Sequence, residues 1–220
     1  MDSPLPQATL SERFLQVFFP ETCIHCHDNI ADQGLFCGGC AALPFGRNSS
    51  DVPLTACYSV KSPFVYASTA RSLLKAAKFA ERRRALALWI QLAQAELRKL
   101  VNADTQVLLV PSRRPFLKRL TSAIVPRAQI ITDAYAFHHA GGSANKALGE
   151  AARFRRIHDT LTWRANAKIT ASSIVICDDV CTTGATLTHA AHLAEKNLGL
   201  KQEQVTIWSL LHRPREFSAN

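Results

Sequence analysis

Ser173-Ile-Val-Ile-Cys-Asp-Asp-Val-Cys-Thr-Thr-Gly-Ala-Thr-Leu187 is an apolar run, two acids, a short polar loop with one glycine, and the start of a second periodic segment. Four β-branched or apolar residues closing on Asp178 fit a buried strand, whereas Thr186 to Asn197 has helical spacing and ends near Gly199. The expectation is a strand, a loop and a helix. Backbone N–H groups of the Thr182 to Thr186 turn, the positive end of the helix and the threonine hydroxyls would together surround a phosphate. Gly184 permits backbone conformations closed to other residues. Asp178 and Asp179, at the strand's carboxyl end, would accept hydrogen bonds from sugar hydroxyls. The bland alternative is a Thr/Gly turn that only caps a helix.

Two further apolar runs, Gln106 to Pro111 and Gln204 to Leu211, read as buried strands of the same kind. From about 69 to 101, apolar residues such as Leu73, Ala77, Leu86, Trp89, Ala93, Leu97 and Leu100 recur every three or four positions, which predicts one long amphipathic helix or two in sequence. The fold class is therefore α/β, a parallel sheet flanked by helices. Within 112–172, Pro115, Pro126 and Gly141-Gly142 break the pattern, and Tyr135 to Phe137 suits either a strand or a helix. Near the N-terminus, Leu10, Phe14, Val17 and Phe18 suggest a short helix stopped by Pro20. Residues 46–53 have linker composition, which divides the chain into a segment 1–48 and a main domain 49–220.

The first segment holds Cys23-x-x-Cys26 and Cys37-x-x-Cys40, two knuckles ten residues apart. Four thiolates from such knuckles close a tetrahedral structural zinc site and leave no position open for catalysis. Gly38-Gly39 would allow the tight turn of the second knuckle. Incidental cysteines and a redox pair are the other readings, but a thioredoxin-like pair belongs to a βαβ context that is missing here. About twenty residues cannot bury enough apolar surface to fold alone, so the metal would supply most of the folding energy. Cys57, Cys177 and Cys181 read as buried or loop thiols. Cys181, within the loop, could make ligand binding sensitive to oxidation.

The net charge is +9 over 220 residues, but residues 1–50 carry −3 and residues 51–220 carry +12. Thirteen Lys or Arg fall between 71 and 127 against Glu81, Glu96 and Asp104. That balance favours anionic partners, either a phosphorylated metabolite or nucleic acid. Apolar runs are too short to span a bilayer and the N-terminus lacks secretory character, so a cytoplasmic protein is expected.

The loop matches, position by position, the motif by which type I phosphoribosyltransferases bind phosphoribosyl pyrophosphate (PRPP): an apolar run, Asp-Asp, Val, a variable residue and Thr-Thr-Gly-x-Thr. The resemblance implies a PRPP site of Asp178, Asp179, Val180, Cys181, Thr182, Thr183, Gly184, Ala185 and Thr186. The acids would contact the ribose hydroxyls, the loop would hold the 5-phosphate, and Mg²⁺ would bridge pyrophosphate and ribose. With the four-cysteine module, the Leu-Leu-Lys-x-x-Lys-Phe segment from Leu73 to Phe79, and a strand ending Val110-Pro111, the whole chain resembles the ComF (ComFC, GntX-like) competence-associated proteins. That family implies a link to DNA uptake and a helicase-like partner. Two of its segments have drifted, however. Its Arg-Gly-Phe-Asn-Gln does not follow Val110-Pro111, and Asn145 to Arg156 only partly keeps its Gln-x-x-Leu-x-x-x-x-Arg-x-x-Asn. Ser112, Arg113 and Arg114 keep the position and charge for pyrophosphate contacts, or form a solvated basic loop. The reading is thus a phosphoribosyl transfer to an unknown acceptor, with no general base evident. The alternative is a non-catalytic module that binds PRPP or a nucleotide and also single-stranded DNA or a helicase-like protein.

Overall fold

The computed structural model describes residues 21–30, 34–43, 45–48, 51–138, 157–164 and 169–214. The chain forms two compact units, Met1–Pro44 and Phe45–Asn220. The helix expected before Pro20 and the drifted Asn145–Arg156 segment lie outside the described residues.

In the first unit the backbone folds back on itself through a Thr22–Asn29 bridge. Within it, Cys23 N–H donates to the Asp28 carbonyl at 2.8 Å, and His27 N–H to the Cys23 carbonyl at 3.0 Å. Helix α1 (Gly38–Ala41) follows, with Cys37 as its N-cap. The two glycines do not make the turn the sequence suggested. They sit in α1, and neither adopts a positive φ.

The second unit opens with two antiparallel strands, β1 (Val52–Pro53) and β2 (Ser59–Val60), then β3 (Phe64–Val65). The described residues of the linker-like stretch 46–53 are held in place: Arg47 bridges to Phe64, Asn48 N–H donates to the Pro63 carbonyl at 2.9 Å, and Val52–Pro53 is paired. Two helices follow, α2 (Ser68–Lys78) and α3 (Arg83–Arg98). The periodicity over 69–101 thus resolves into two helices, with Glu81 at φ +50° in the turn between them. After β4 (Thr105–Leu109) come α4 (Phe116–Ile124) and β5 (Ile130–Ile131). The ambiguous 135–137 stretch is a strand, β6 (Tyr135–Phe137), antiparallel to β7 (Leu161–Trp163). The chain then enters β8 (Ser173–Cys181), α5 (Ala185–Leu198) and β9 (Val205–His212).

β3, β9, β8, β4 and β5 form one sheet in that order, every pair parallel. Helices α2 to α5 connect or cover its strands, which is the expected parallel α/β architecture. Two-residue alternation divides the core. Leu108, Ile174, Ile176, Val205 and Ile207 face one cluster with Leu187, Ala190, Ala191 and Ala194 of α5 and with Tyr135 and Leu161 of the small hairpin. The alternate residues Val107, Val175, Cys177 and Trp208 are also buried, on the opposite face. Near the β3 edge, Trp89 of α3 packs against Phe45 and Phe64 with ring centroids 5.4 and 5.5 Å away.

The order also positions a cleft. From β4 the chain crosses through α4 to β5 on one side, while from β8 it crosses through α5 to β9 on the other. Beyond the carboxyl ends of the adjacent strands β4 and β8 the connections diverge, and ligands of open α/β sheets bind at such a switch point.

Candidate functional site

β8 runs three residues past Asp178, so both acids lie inside the strand rather than at its end. Asp178 pairs with Ser209 of β9, and Val180 and Cys181 with Leu211 and His212. The extension is anchored by Cys181 N–H, which donates to Ser209 Oγ at 2.9 Å. As a result Cys181 contributes backbone to the loop while its side chain belongs to the core, 4% exposed. A buried thiol there is poorly placed for the oxidation sensitivity its sequence position suggested.

The turn that follows leaves Thr182 exposed and Thr183 and Thr186 half-buried. Gly184 is the N-cap of α5 at φ +79°, ψ −4°, and a Cβ there would come within 2.6 Å of Leu54 Cδ2. Both the left-handed backbone and the approach of Leu54 explain the glycine. The N-cap Gly184 offers no side-chain cap, so beyond Ala185 the first-turn N–H groups stand at the positive end of a fourteen-residue helix, where an anion is favoured. Thr183 Oγ1 accepts a 3.4 Å bond from Ala185 N–H, which shapes the turn from within.

The acid pair is not symmetric. Asp179 is 7% exposed and its Oδ2 forms an ion pair with Nζ of Lys78, the last residue of α2. Asp178 is only partly buried, and its Oδ1 accepts the Asp179 N–H at 2.7 Å. Burial first, and the adjacent Asp179 charge second, push the Asp178 carboxyl well above the usual carboxylate range, although Lys78 opposes this. One acid is neutralised by an ion pair, and the other is half-buried beside it with a raised carboxyl. Lys78 is the site residue that sequence reasoning missed: it was legible as part of the Leu73–Phe79 segment, but nothing in one dimension placed it 101 residues away, against Asp179.

On the β4 side, Val110 N–H donates to the Cys177 carbonyl at 3.0 Å and carries the pairing one residue beyond β4. This brings the exposed Ser112, Arg113 and Arg114 out of the strand next to β8. Arg114 N–H donates to Ser112 Oγ at 3.4 Å, and its guanidinium is 3.9 Å from Glu81, which also receives Arg119 at 3.4 Å. Glu81 thereby ties the α2–α3 turn to the basic loop and the start of α4.

In the N-terminal unit, the Sγ atoms of Cys23, Cys26, Cys37 and Cys40 all lie within 4.8 Å of one another, with Cys26 and Cys37 3.6 Å apart. A tetrahedral zinc site with Zn–S near 2.3 Å requires S–S separations of about 3.8 Å, so the four sulfurs can hold such an ion. Burial alone would raise the Cys23 thiol, but hydrogen bonds from the backbone of Cys26, Cys37 and His25 outweigh it and bring it down to about 6. Cys40, by contrast, is raised by burial and by its neighbouring thiols. Among the described residues this is the one cluster of three or more such side chains suited to a metal.

The fold and this loop define a parallel α/β protein with a helix N-terminus, a candidate anion site, at its switch point. No family model and no curated protein matches the chain. Among solved structures it is similar to adenine phosphoribosyltransferase from Trypanosoma brucei, in complex with AMP, pyrophosphate and ribose-5-phosphate, at 12% identity over 78% of this chain and 91% of that one, with a TM-score of 0.39. Adenine phosphoribosyltransferase from Leishmania tarentolae is similar at 14% identity over 69% and 78%, with a TM-score of 0.35. Likeness at that level carries no argument about activity. No helix among the described residues is long and apolar enough to cross a membrane.

Proposed function

We propose that residues 49–220 are a type I phosphoribosyltransferase-like domain of ComF type, that residues 1–48 carry a structural zinc module, and that the protein binds PRPP through Asp178 to Thr186. The observation that carries this reading is the β8–α5 junction: two acids in a central strand, a left-handed glycine and an uncapped helix N-terminus at the switch point of a parallel sheet. The helix terminus and the Thr182–Thr186 turn suit a dianionic 5-phosphate. Asp178, the more exposed of the two acids, suits the ribose hydroxyls, and Asp179 joins through Lys78.

Transfer would form a bond from an acceptor nitrogen to C1 of the ribose and break the C1–O bond to pyrophosphate. The acceptor's proton would pass to water or to the departing pyrophosphate. This chain's part is to fix the sugar and to stabilise the leaving group with Ser112, Arg113 and Arg114. The two carboxylates alone do not make a metal cage. Mg²⁺ fits here in the way it commonly binds, with substrate phosphates and hydroxyls supplying most ligands, and it would screen the pyrophosphate charge.

A second reading is favoured by the exposed basic residues Arg82, Arg83, Arg84, Arg113, Arg114, Lys118 and Arg119. In it the domain binds PRPP or a nucleotide without turnover and contacts single-stranded DNA, or a helicase-like partner, during DNA uptake. Calorimetry of Mg²⁺ and PRPP with wild type and with Asp178→Ala/Asp179→Ala, following pyrophosphate release, tests both. Binding lost in the double variant supports the site, and pyrophosphate release then separates transferase from binding module. A wild type that binds no PRPP sinks the central reading.

A further inference from the structure

We propose that the cavity between α3 and the β3 edge is a second binding site, one that takes a small organic carboxylate with a flat apolar body. The cavity has a volume of about 510 Å³, within the range of about 300–1,000 Å³ usual for small-molecule sites. All of its walls belong to the second unit, and it shares no residue with the Asp178–Thr186 loop or with Ser112 to Arg114. It also lies at the other end of the sheet. Lys99 and Leu100 stand where α3 leads towards the start of β4, and Lys61 precedes β3, whereas the switch point lies beyond the carboxyl ends of β4 and β8. The proposal therefore does not depend on the PRPP reading.

The lining separates into an apolar wall and a charged rim. Phe64 and Trp208 are buried and Leu92 and Leu100 half-buried, so the wall offers two rings and two leucines to an apolar ligand. The Trp208 indole N–H is buried with no partner among the described residues, a deficit that an acceptor carried to it would remove. On the rim stand three cations and two acids. Lys61 pairs with Asp51 at 3.0 Å and Lys99 with Glu96 at 3.1 Å, so these four charges nearly cancel. Arg47 is left over. It makes no ion pair among the described residues, and its guanidinium carbon lies 6.0 Å from the Phe64 ring centroid. The Arg47–Phe64 bridge and the bond from Asn48 N–H to the Pro63 carbonyl fix the backbone here, so the cation is held beside the apolar wall. One uncompensated cation at such a wall matches one negative charge on an apolar body, and a polyphosphate would carry more charge than the rim can meet. The planar guanidinium fork matches the two oxygens of a carboxylate.

The test is calorimetry on the full zinc-loaded chain with 2-naphthoate and its neutral isostere 2-naphthamide, using wild type, Arg47→Gln, Ala95→Trp and Asp178→Ala/Asp179→Ala. Wild type should bind one naphthoate per chain, roughly tenfold tighter than the amide, as a charge-assisted hydrogen bond predicts. Arg47→Gln should remove that margin and leave the amide unchanged. Ala95 lines the cavity, so Ala95→Trp should abolish binding of both. The double Asp variant should bind as wild type does. No saturable binding by wild type, equal affinity for acid and amide, or loss of binding in the double Asp variant overturns the site. Inorganic phosphate that displaces naphthoate at comparable concentration overturns the ligand class.

Discussion

The two units solve the problem of cohesion in opposite ways. In the described part of the N-terminal unit, residues 21–30 and 34–43, the buried side chains are Cys23 and Cys40, so its core consists of two of its own candidate ligands. In the second unit Trp89, Trp208, Phe64, Leu108 and Ile176 are fully buried, and the candidate ligand site is a loop on the rim of an apolar core that exists without it. One unit is expected to need its ligand to fold. The other needs its fold to have a ligand.

The sharpest way to break that contrast is to remove the metal. Structural zinc contributes an apparent ~10–16 kcal/mol in small cysteine modules, far more than this segment's apolar burial can supply. Strong chelation, or Cys23→Ser, should abolish stoichiometric zinc and lower amide protection in residues 21–43. Trp89, Trp163 and Trp208 all belong to the second unit, so their emission should not change. A tryptophan spectrum that shifts together with zinc loss would mean that the second unit leans on the first.

Within the second unit the same question can be put to Asp179. Replacing Lys78 by Met strands a nearly buried carboxylate beside a second one, and breaking a pair of this kind costs about 3 kcal/mol. Denaturant titration should show that loss for Lys78→Met, and Asp179→Asn should recover part of it in the double variant, since the two share one interaction. Strictly additive losses would show that the pair is not coupled. The zinc content of the first unit should stay at the wild-type level throughout.

The same contrast governs what could be read from sequence. The sheet was legible because its central strands are continuous apolar runs, and helix periodicity marked 69–101 before the structure resolved it into α2 and α3. The four cysteines were legible because ligand spacing is a local property. Pairings across the chain were not. Nothing near Lys78 in sequence reports Asp179, and nothing near Gly184 reports that Leu54 closes over it. Local composition also misled where tertiary pairing overrides it: 46–53 reads as linker, but Arg47 is bridged and Val52–Pro53 is paired, and Gly38-Gly39 reads as a turn but enters a helix. Asp178 and Asp179 looked like a strand end because acids usually stop buried strands. Here Ser209 and Leu211 of β9 hold the strand to Cys181.

The finest test within the second unit is its response to pH, and it is the smallest of these effects. His189 of α5 is buried, bonded through Nε2 to the Leu161 carbonyl at 3.1 Å, and its ring centroid lies 3.9 Å from that of His158, the rings tilted by 48°. Burial, then the neighbouring His158, hold it below its ordinary value of 6.5, and His192 adds to this. A group whose folded pKa is depressed binds fewer protons in the native state, so its contribution is complete above 6.5 and is lost as the pH falls towards and through the folded value. Asp178 has the opposite sign: its raised folded pKa makes the native state bind more protons, so stability falls as pH rises from the ordinary carboxylate range through that value. The two slopes oppose each other and must be separated by variants. Thermal midpoints taken from about pH 7.5 down to about pH 5.5 should fall less in His189→Gln than in wild type, whereas Asp178→Asn should lift the midpoint most at the alkaline end. Parallel curves for wild type and both variants would place the titrating groups elsewhere, and the polarised acid pair would lose its energetic support.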